Sequence, residues 1–138
     1  MKKLTLSIGI VLLSLNSLSA QKTKIALTTG VDLENPYTMD LGYSAGLQVI
    51  NSKGYTFGGS YFEVIGGLNE YKRYKGAIIS FGHTSTDEKG FVFTSDLYLT
   101  DKGSGVGATF GYKIGNFIPA FKANSISGAG FGITVILN

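Results

Sequence analysis

The stretch Gly128-Ala129-Gly130-Phe131-Gly132-Ile133-Thr134-Val135-Ile136-Leu137-Asn138 decides how the rest of the chain is read. Successive side chains of a strand point to opposite faces. Ala129, Phe131, Ile133, Val135 and Leu137 therefore share one face, and Gly128, Gly130, Gly132, Thr134, Ile136 and Asn138 share the other. One face is apolar and the other nearly bare. A sheet with one face in water normally carries charged or amide side chains opposite its apolar residues. Glycine is unfavourable in strands and marks places where facing space is small. The inside of a narrow closed barrel is such a space, and the apolar face then turns outward, into lipid.

The same two-residue period recurs upstream. Ile25, Leu27, Thr29 and Val31 oppose Ala26, Thr28 and Gly30, and a loop follows over Asp32 to Met39, where Asn35-Pro36 is a turn signal. Leu41 to Asn51 alternates strictly, with Leu41, Tyr43, Ala45, Leu47 and Val49 on the apolar face. The third strand, Tyr55 to about Val64, puts Phe62 and Val64 on the inner face, which a bulge or bulky fillers would both explain. After a loop over Gly66 to Lys75, Ala77, Ile79 and Phe81 face out. In the fifth strand Phe91, Phe93, Leu97 and Leu99 oppose Val92, Thr94, Asp96 and Tyr98. No stretch after the first twenty residues shows helical spacing over the ten or more residues a helix needs.

The turns test the faces. Ser52-Lys53-Gly54 as a three-residue loop sets Val49 opposite Phe57 and Ala45 opposite Tyr61, so the apolar faces coincide. A turn centred on Lys102-Gly103 pairs Leu99 with Val106 and Phe93 with Tyr112. Gly115-Asn116, a two-residue hairpin signal, pairs Ile114 with Phe117 and Phe110 with Phe121. In that register Asp96, Thr109 and Lys122 form one inward level across three strands. An unpaired charge in a packed interior is costly, so an Asp96–Lys122 ion pair bridged by Thr109 or water is expected.

Composition narrows the compartment. Lys2 and Lys3, the apolar run Leu4 to Leu15 and Ala20 before Gln21 have the layout of a secretory signal peptide over residues 1–20, leaving a single domain over 21–138. Without Lys2 and Lys3, ten basic residues stand against nine acidic ones and the net charge falls from +3 to +1, which removes the argument for nucleic acid. With no cysteine, neither disulfides nor a thiolate metal site is available. Twenty glycines, eight tyrosines, nine phenylalanines and two prolines suit many strands. The expectation is an all-β, antiparallel up-and-down membrane barrel of about eight strands, each about 9 to 11 residues long as a tilted crossing requires. Lipid is expected to face Leu47, Leu97, Phe110, Phe131, Ile133 and Val135.

With its leader, alternating strands, aromatic flanks and a terminal strand, the chain resembles the small eight-stranded outer-membrane barrels of Gram-negative bacteria. The resemblance covers residues 21–138 and rests on pattern, without a family-specific motif. It implies export to the outer membrane, lipids and the barrel-assembly machinery as partners, and a structural or interaction role through the outer loops, whose partner is not specified. Eight strands leave an interior that side chains fill, so no conducting pore is expected.

Chemistry is thinly represented. His83, with Ser80, Thr84 and Asp87 nearby, permits a hydrolase arrangement only on paper, because Ser80 faces inward and His83 outward. One histidine without cysteine makes zinc implausible. Gly103-Ser104-Gly105-Val106-Gly107 lacks the Gly-Lys-Ser/Thr and the helix of a phosphate loop. Neither catalytic residues nor a cofactor are expected, and the chain is not read as an enzyme. Tyr71-Lys72-Arg73-Tyr74-Lys75 is a candidate contact for head groups or a polyanionic partner, or an ordinary girdle of aromatics and snorkelling cations. The alternative to a membrane barrel is a secreted soluble barrel of the lipocalin kind, in the periplasm or outside the cell, with its apolar face around a small apolar ligand. A membrane-embedded lipid hydrolase is a more remote one.

Overall fold

The computed structural model describes residues 23–35, 40–65 and 74–137. The leader expected over residues 1–20 and its cleavage site lie outside these. Eight strands follow one another: β1 (Lys24–Asn35), β2 (Asp40–Ile50), β3 (Tyr55–Ile65), β4 (Tyr74–Thr84), β5 (Lys89–Thr100), β6 (Gly103–Ile114), β7 (Phe117–Asn124) and β8 (Gly128–Leu137). Each pairs antiparallel with its neighbours in sequence, and β8 pairs with β1 to close an up-and-down barrel. Closure removes the free edges of an open sheet, which matters for a chain this rich in exposed β-formers. The β6–β7 ladder has a gap between Gly111–Ala120 and Ile114–Phe117, around Pro119.

The turn residues set most of the register. Gly54 adopts φ +85° and its N–H bonds the Asn51 carbonyl at 3.0 Å, which places Val49 opposite Phe57 and Ala45 opposite Tyr61 as expected. Gly115 at φ +60° makes the second expected turn, with Ile114 opposite Phe117 and Phe110 opposite Phe121. The β5–β6 turn differs. Thr100 pairs with Gly103, so the turn residues are Asp101 and Lys102, and Leu97 rather than Leu99 faces Val106. The Thr100 hydroxyl donates to the Gly103 carbonyl at 2.7 Å, and the Lys102 N–H donates back to that hydroxyl, closing a tighter turn than a glycine-centred reading allows. A two-residue displacement keeps every side chain on its face, so the alternation could not reveal it.

Two boundaries also move. β1 continues past Val31 to Asn35, because Asp32 and Leu33 still pair with β2 and β8. Tyr74 and Lys75 belong to β4, paired with Val64 and Glu63. The third strand runs without a bulge, so Phe62 and Val64 are bulky fillers.

Inside, the side chains form three layers. Ala26, Ile50, Val92, Ile118 and Ile136 pack as an apolar plug toward the end with the turns at 51–54, 85–88 and 115–116. Phe62, Val64, Tyr74, Ile78 and Tyr98, with Ile126 against them, close the opposite end. Phe62 meets Tyr98 edge-on at 5.3 Å between centroids, the favoured arrangement for buried rings. Polar and charged residues fill the space between.

Candidate functional site

The polar middle layer holds three buried charged side chains, Asp32, Asp96 and Lys122. Lys122 points inward from β7, and its Nζ donates to the Ser44 hydroxyl at 3.0 Å, 78 residues away in sequence. Between β7 and β2 lie β8 and β1, so the lysine stem must cross both. It crosses them where they carry glycine. A Cβ on Gly132 would meet Lys122 Cε at 2.9 Å, and one on Gly30 would meet Lys122 Nζ at 2.6 Å. The bare inner face of β8 is thus the bed on which Lys122 lies. Other glycines do the same for other fillers: a Cβ on Gly42 would meet the Phe62 ring at 3.1 Å, and one on Gly107 would meet the Tyr98 ring at 3.0 Å.

Asp96 is held differently. Its two oxygens accept from the Thr109 hydroxyl at 2.6 Å and from the Thr94 hydroxyl at 3.1 Å. The structure gathers Asp96, Thr109 and Lys122 in one region, with Thr109 opposite Lys122 across β6–β7. Asp96, however, stands opposite Gly107, and Thr94 opposite Thr109, because of the displaced β5–β6 turn. Thr109 therefore reaches Asp96 diagonally, and the hydrogen bond of Lys122 goes to Ser44.

Asp32 was hidden from the sequence reading because Asn35-Pro36 suggested that a loop began there. It is 1 % exposed, accepts from the Ser127 hydroxyl at 3.0 Å through Oδ2, and has no partner for Oδ1. The available signal was the parity of β1, which puts Asp32 on the face of Ala26, Thr28 and Gly30. Ser127 belongs to the β7–β8 turn, where the Asn124 carboxamide accepts from the N–H groups of Ile126 and Ser127 at 2.9 and 2.6 Å. Tyr74 donates its hydroxyl to the Ile126 carbonyl at 3.0 Å. The turn folds into the mouth, with Ile126 on the aromatic plug and Ser127 on Asp32.

The filled interior leaves a cavity of about 20 Å3 among Thr28, Ser80, Thr94, Asp96, Thr109 and Lys122. That is room for about one water molecule. No apolar ligand chamber exists there.

The outer face is the complement. Leu47, Leu97, Phe110, Phe131 and Ile133 are exposed and Val135 is half-buried, all on the outward parity. Among the described residues twenty-six large apolar or aromatic side chains are exposed, on every strand. Cross-strand rings pair edge-on, Phe93 with Phe110 at 5.1 Å and Phe121 with Phe131 at 5.7 Å. Among the described outward strand positions the charges are Glu63, Lys75 and Lys89, at or near strand ends. Glu63 accepts from the hydroxyls of Tyr43 and Tyr61 at 2.7 and 2.8 Å.

Of the expected basic-aromatic patch, Tyr71, Lys72 and Arg73 lie outside the described residues. Lys75 is exposed, but Tyr74 is buried against Phe62 and offers no surface to a head group. Ser80 points into the barrel and His83 out, where its Nε2 lies 3.2 Å from the Lys53 carbonyl, so the two share no site. Among the described residues no cluster of metal ligands occurs. The chain matches no family model, no curated protein and no solved structure.

Proposed function

We propose that this chain is a small outer-membrane β-barrel protein with a structural or interaction role exercised through its loops. The observation that carries the reading is the outer face. Monomeric soluble proteins rarely expose contiguous apolar patches beyond a few hundred Å2, whereas here the apolar band runs around the whole barrel. A lipid bilayer is the environment in which such a band is satisfied, and a closed sheet suits it because strands pair with one another instead of with water. The interior supports a filled barrel without a conducting path, since both ends are plugged and the polar layer between them leaves only a water-sized cavity. A lipocalin-like reading would need the apolar face turned inward.

Two measurements test the proposal together. Protein from the cell envelope should require detergent for extraction and should migrate differently on a gel before and after boiling. Release as a soluble monomer without detergent would overturn the membrane reading.

A further inference from the structure

The end of the barrel bearing the turns at 51–54, 85–88 and 115–116 holds a cavity separate from the polar middle layer. Its volume is about 200 Å3, its walls include Lys24, Ser85, Thr86 and Lys113, and Ile50 and Ile136 of the apolar plug contribute to it. Lys113 is 5 % exposed, and its Nζ donates to the carbonyls of Ser85 at 3.0 Å and Asp87 at 2.5 Å. An ammonium has three hydrogens to donate, so one remains, and its charge is met by carbonyl dipoles. Lys24 lines the same cavity and is near enough for its charge to act on Lys113. The carboxylates of Asp87 and Glu88 in the adjacent turn attract Lys113, but neither lines the cavity.

We propose that this cavity binds a phosphate-type oxyanion, held by Lys24 and Lys113 and by the hydroxyls of Ser85 and Thr86. Two cations border one space that no described carboxylate lines, so an anion placed in it meets positive charge first. A tetrahedral oxyanion offers several acceptors to donors approaching from different sides. The Ser85 oxygen accepts from the Asp87 N–H at 3.3 Å, which leaves its own proton to donate. The cavity is also smaller than the roughly 300–1,000 Å3 of sites for drug-sized ligands, as suits a single phosphate group. That group is supplied either by free phosphate or by the phosphomonoester head of a lipid, and the proposal does not depend on where the barrel resides.

The folded, 15N-labelled chain in detergent micelles is titrated with sodium phosphate at constant ionic strength, with sodium chloride as reference, and separately with short-chain phosphatidic acid. Saturable amide shifts are expected at Asn51, Ser85 and Thr86 with at least one of the two. Saturation by free phosphate identifies a soluble ligand, and saturation by phosphatidic acid alone identifies a lipid head group. Lys24 is exposed and outside the packed interior, so Lys24→Gln keeps the fold and should weaken binding about tenfold. Lys113→Met also removes the bonds that hold the 85–88 turn, so Lys24→Gln is the decisive variant. Absence of saturation with both probes, or unchanged affinity in Lys24→Gln, overturns the proposal.

Discussion

Asp32 and Lys122 stand at one level of the barrel on either side of Gly130, which pairs with Asp32 across β1–β8 and with Lys122 across β7–β8. Neighbouring strands lie about 4.8 Å apart, so the two backbones are roughly 10 Å from each other, with no side chain between them. Asp96 also stands two strands from Lys122, and each of its oxygens already accepts from a threonine hydroxyl. The oxygen lacking a partner is Asp32 Oδ1.

Lys122 should therefore couple more strongly to Asp32 than to Asp96. Residues sharing a buried network show interaction energies of about 0.5–3 kcal/mol in double-mutant cycles. Asp32→Asn with Lys122→Met should fall in that range for refolding stability in micelles, and Asp96→Asn with Lys122→Met below it. A larger coupling for Asp96 would favour the Asp96–Lys122 pair, bridged by Thr109 or water, over one with Asp32.

The glycines make a sharper test because their surroundings differ. A Cβ on Gly132 would meet the Thr29 carbonyl and Lys122 Cε, both at 2.9 Å, whereas one on Gly59, which faces outward, would come no nearer than 4.0 Å to the Ile78 carbonyl. Overpacking costs about 1–3 kcal/mol, and glycine within a strand is itself unfavourable by about 0.5–1 kcal/mol relative to alanine. Gly132→Ala should lower the urea midpoint of unfolding and Gly59→Ala should leave it equal or raise it. Equal effects of the two would mean that the inner glycines are not there for room.

This contrast marks how much of the molecule the sequence discloses. Strand number, faces and two turns follow from a period of two and from Gly54 and Gly115, because burial on one side forces side-chain parity. Parity is blind to shifts of two residues, which is why the β5–β6 register escaped. The role of glycine was legible only in part. The bare face of β8 indicated a tight interior, but which side chain would lie over Gly132 depends on β7 and β2 approaching across the barrel. Ser44 lies 78 residues from Lys122, and Ser127 lies 95 from Asp32. No local pattern announces such contacts.

The outer face is tested by charge. Ile133 is 51 % exposed at a central outward position of β8. A Lys or Arg on the lipid face of a membrane barrel costs about 2–4 kcal/mol at the midplane, whereas an exposed residue of a soluble barrel tolerates arginine within about 0.5 kcal/mol. Ile133→Arg should thus lower assembly yield in bilayer vesicles while folding in small micelles stays near normal. Unimpaired assembly in vesicles would count against a lipid-facing β8.

The β7–β8 turn should owe its position at the mouth to Asp32. Ser127 is fully buried and, among the described residues, is the hydrogen-bond donor to the Asp32 carboxylate. Bonds to charged groups contribute about 1.5–3 kcal/mol and neutral ones about 0.5–1.5 kcal/mol. Ser127→Ala leaves a buried carboxylate without a donor, so it should destabilise the chain by about 2 kcal/mol or more. In an Asp32→Asn background the same substitution removes only a neutral bond, and its cost should fall by about half. Tyr74→Phe removes the bond to the Ile126 carbonyl but keeps the ring on Phe62. Because both bonds hold adjacent residues of the same turn, its smaller cost should combine non-additively with that of Ser127→Ala. Hydrogen exchange at the Ser127 amide, which the Asn124 carboxamide protects, reads the turn directly. Ser127→Ala should speed exchange at the neighbouring Ile126 amide, because the turn loses its anchor to β1. If Ser127→Ala cost the same with Asp32 and with Asn at position 32, the turn would be held by Asn124 and Tyr74, and the carboxylate would not anchor it.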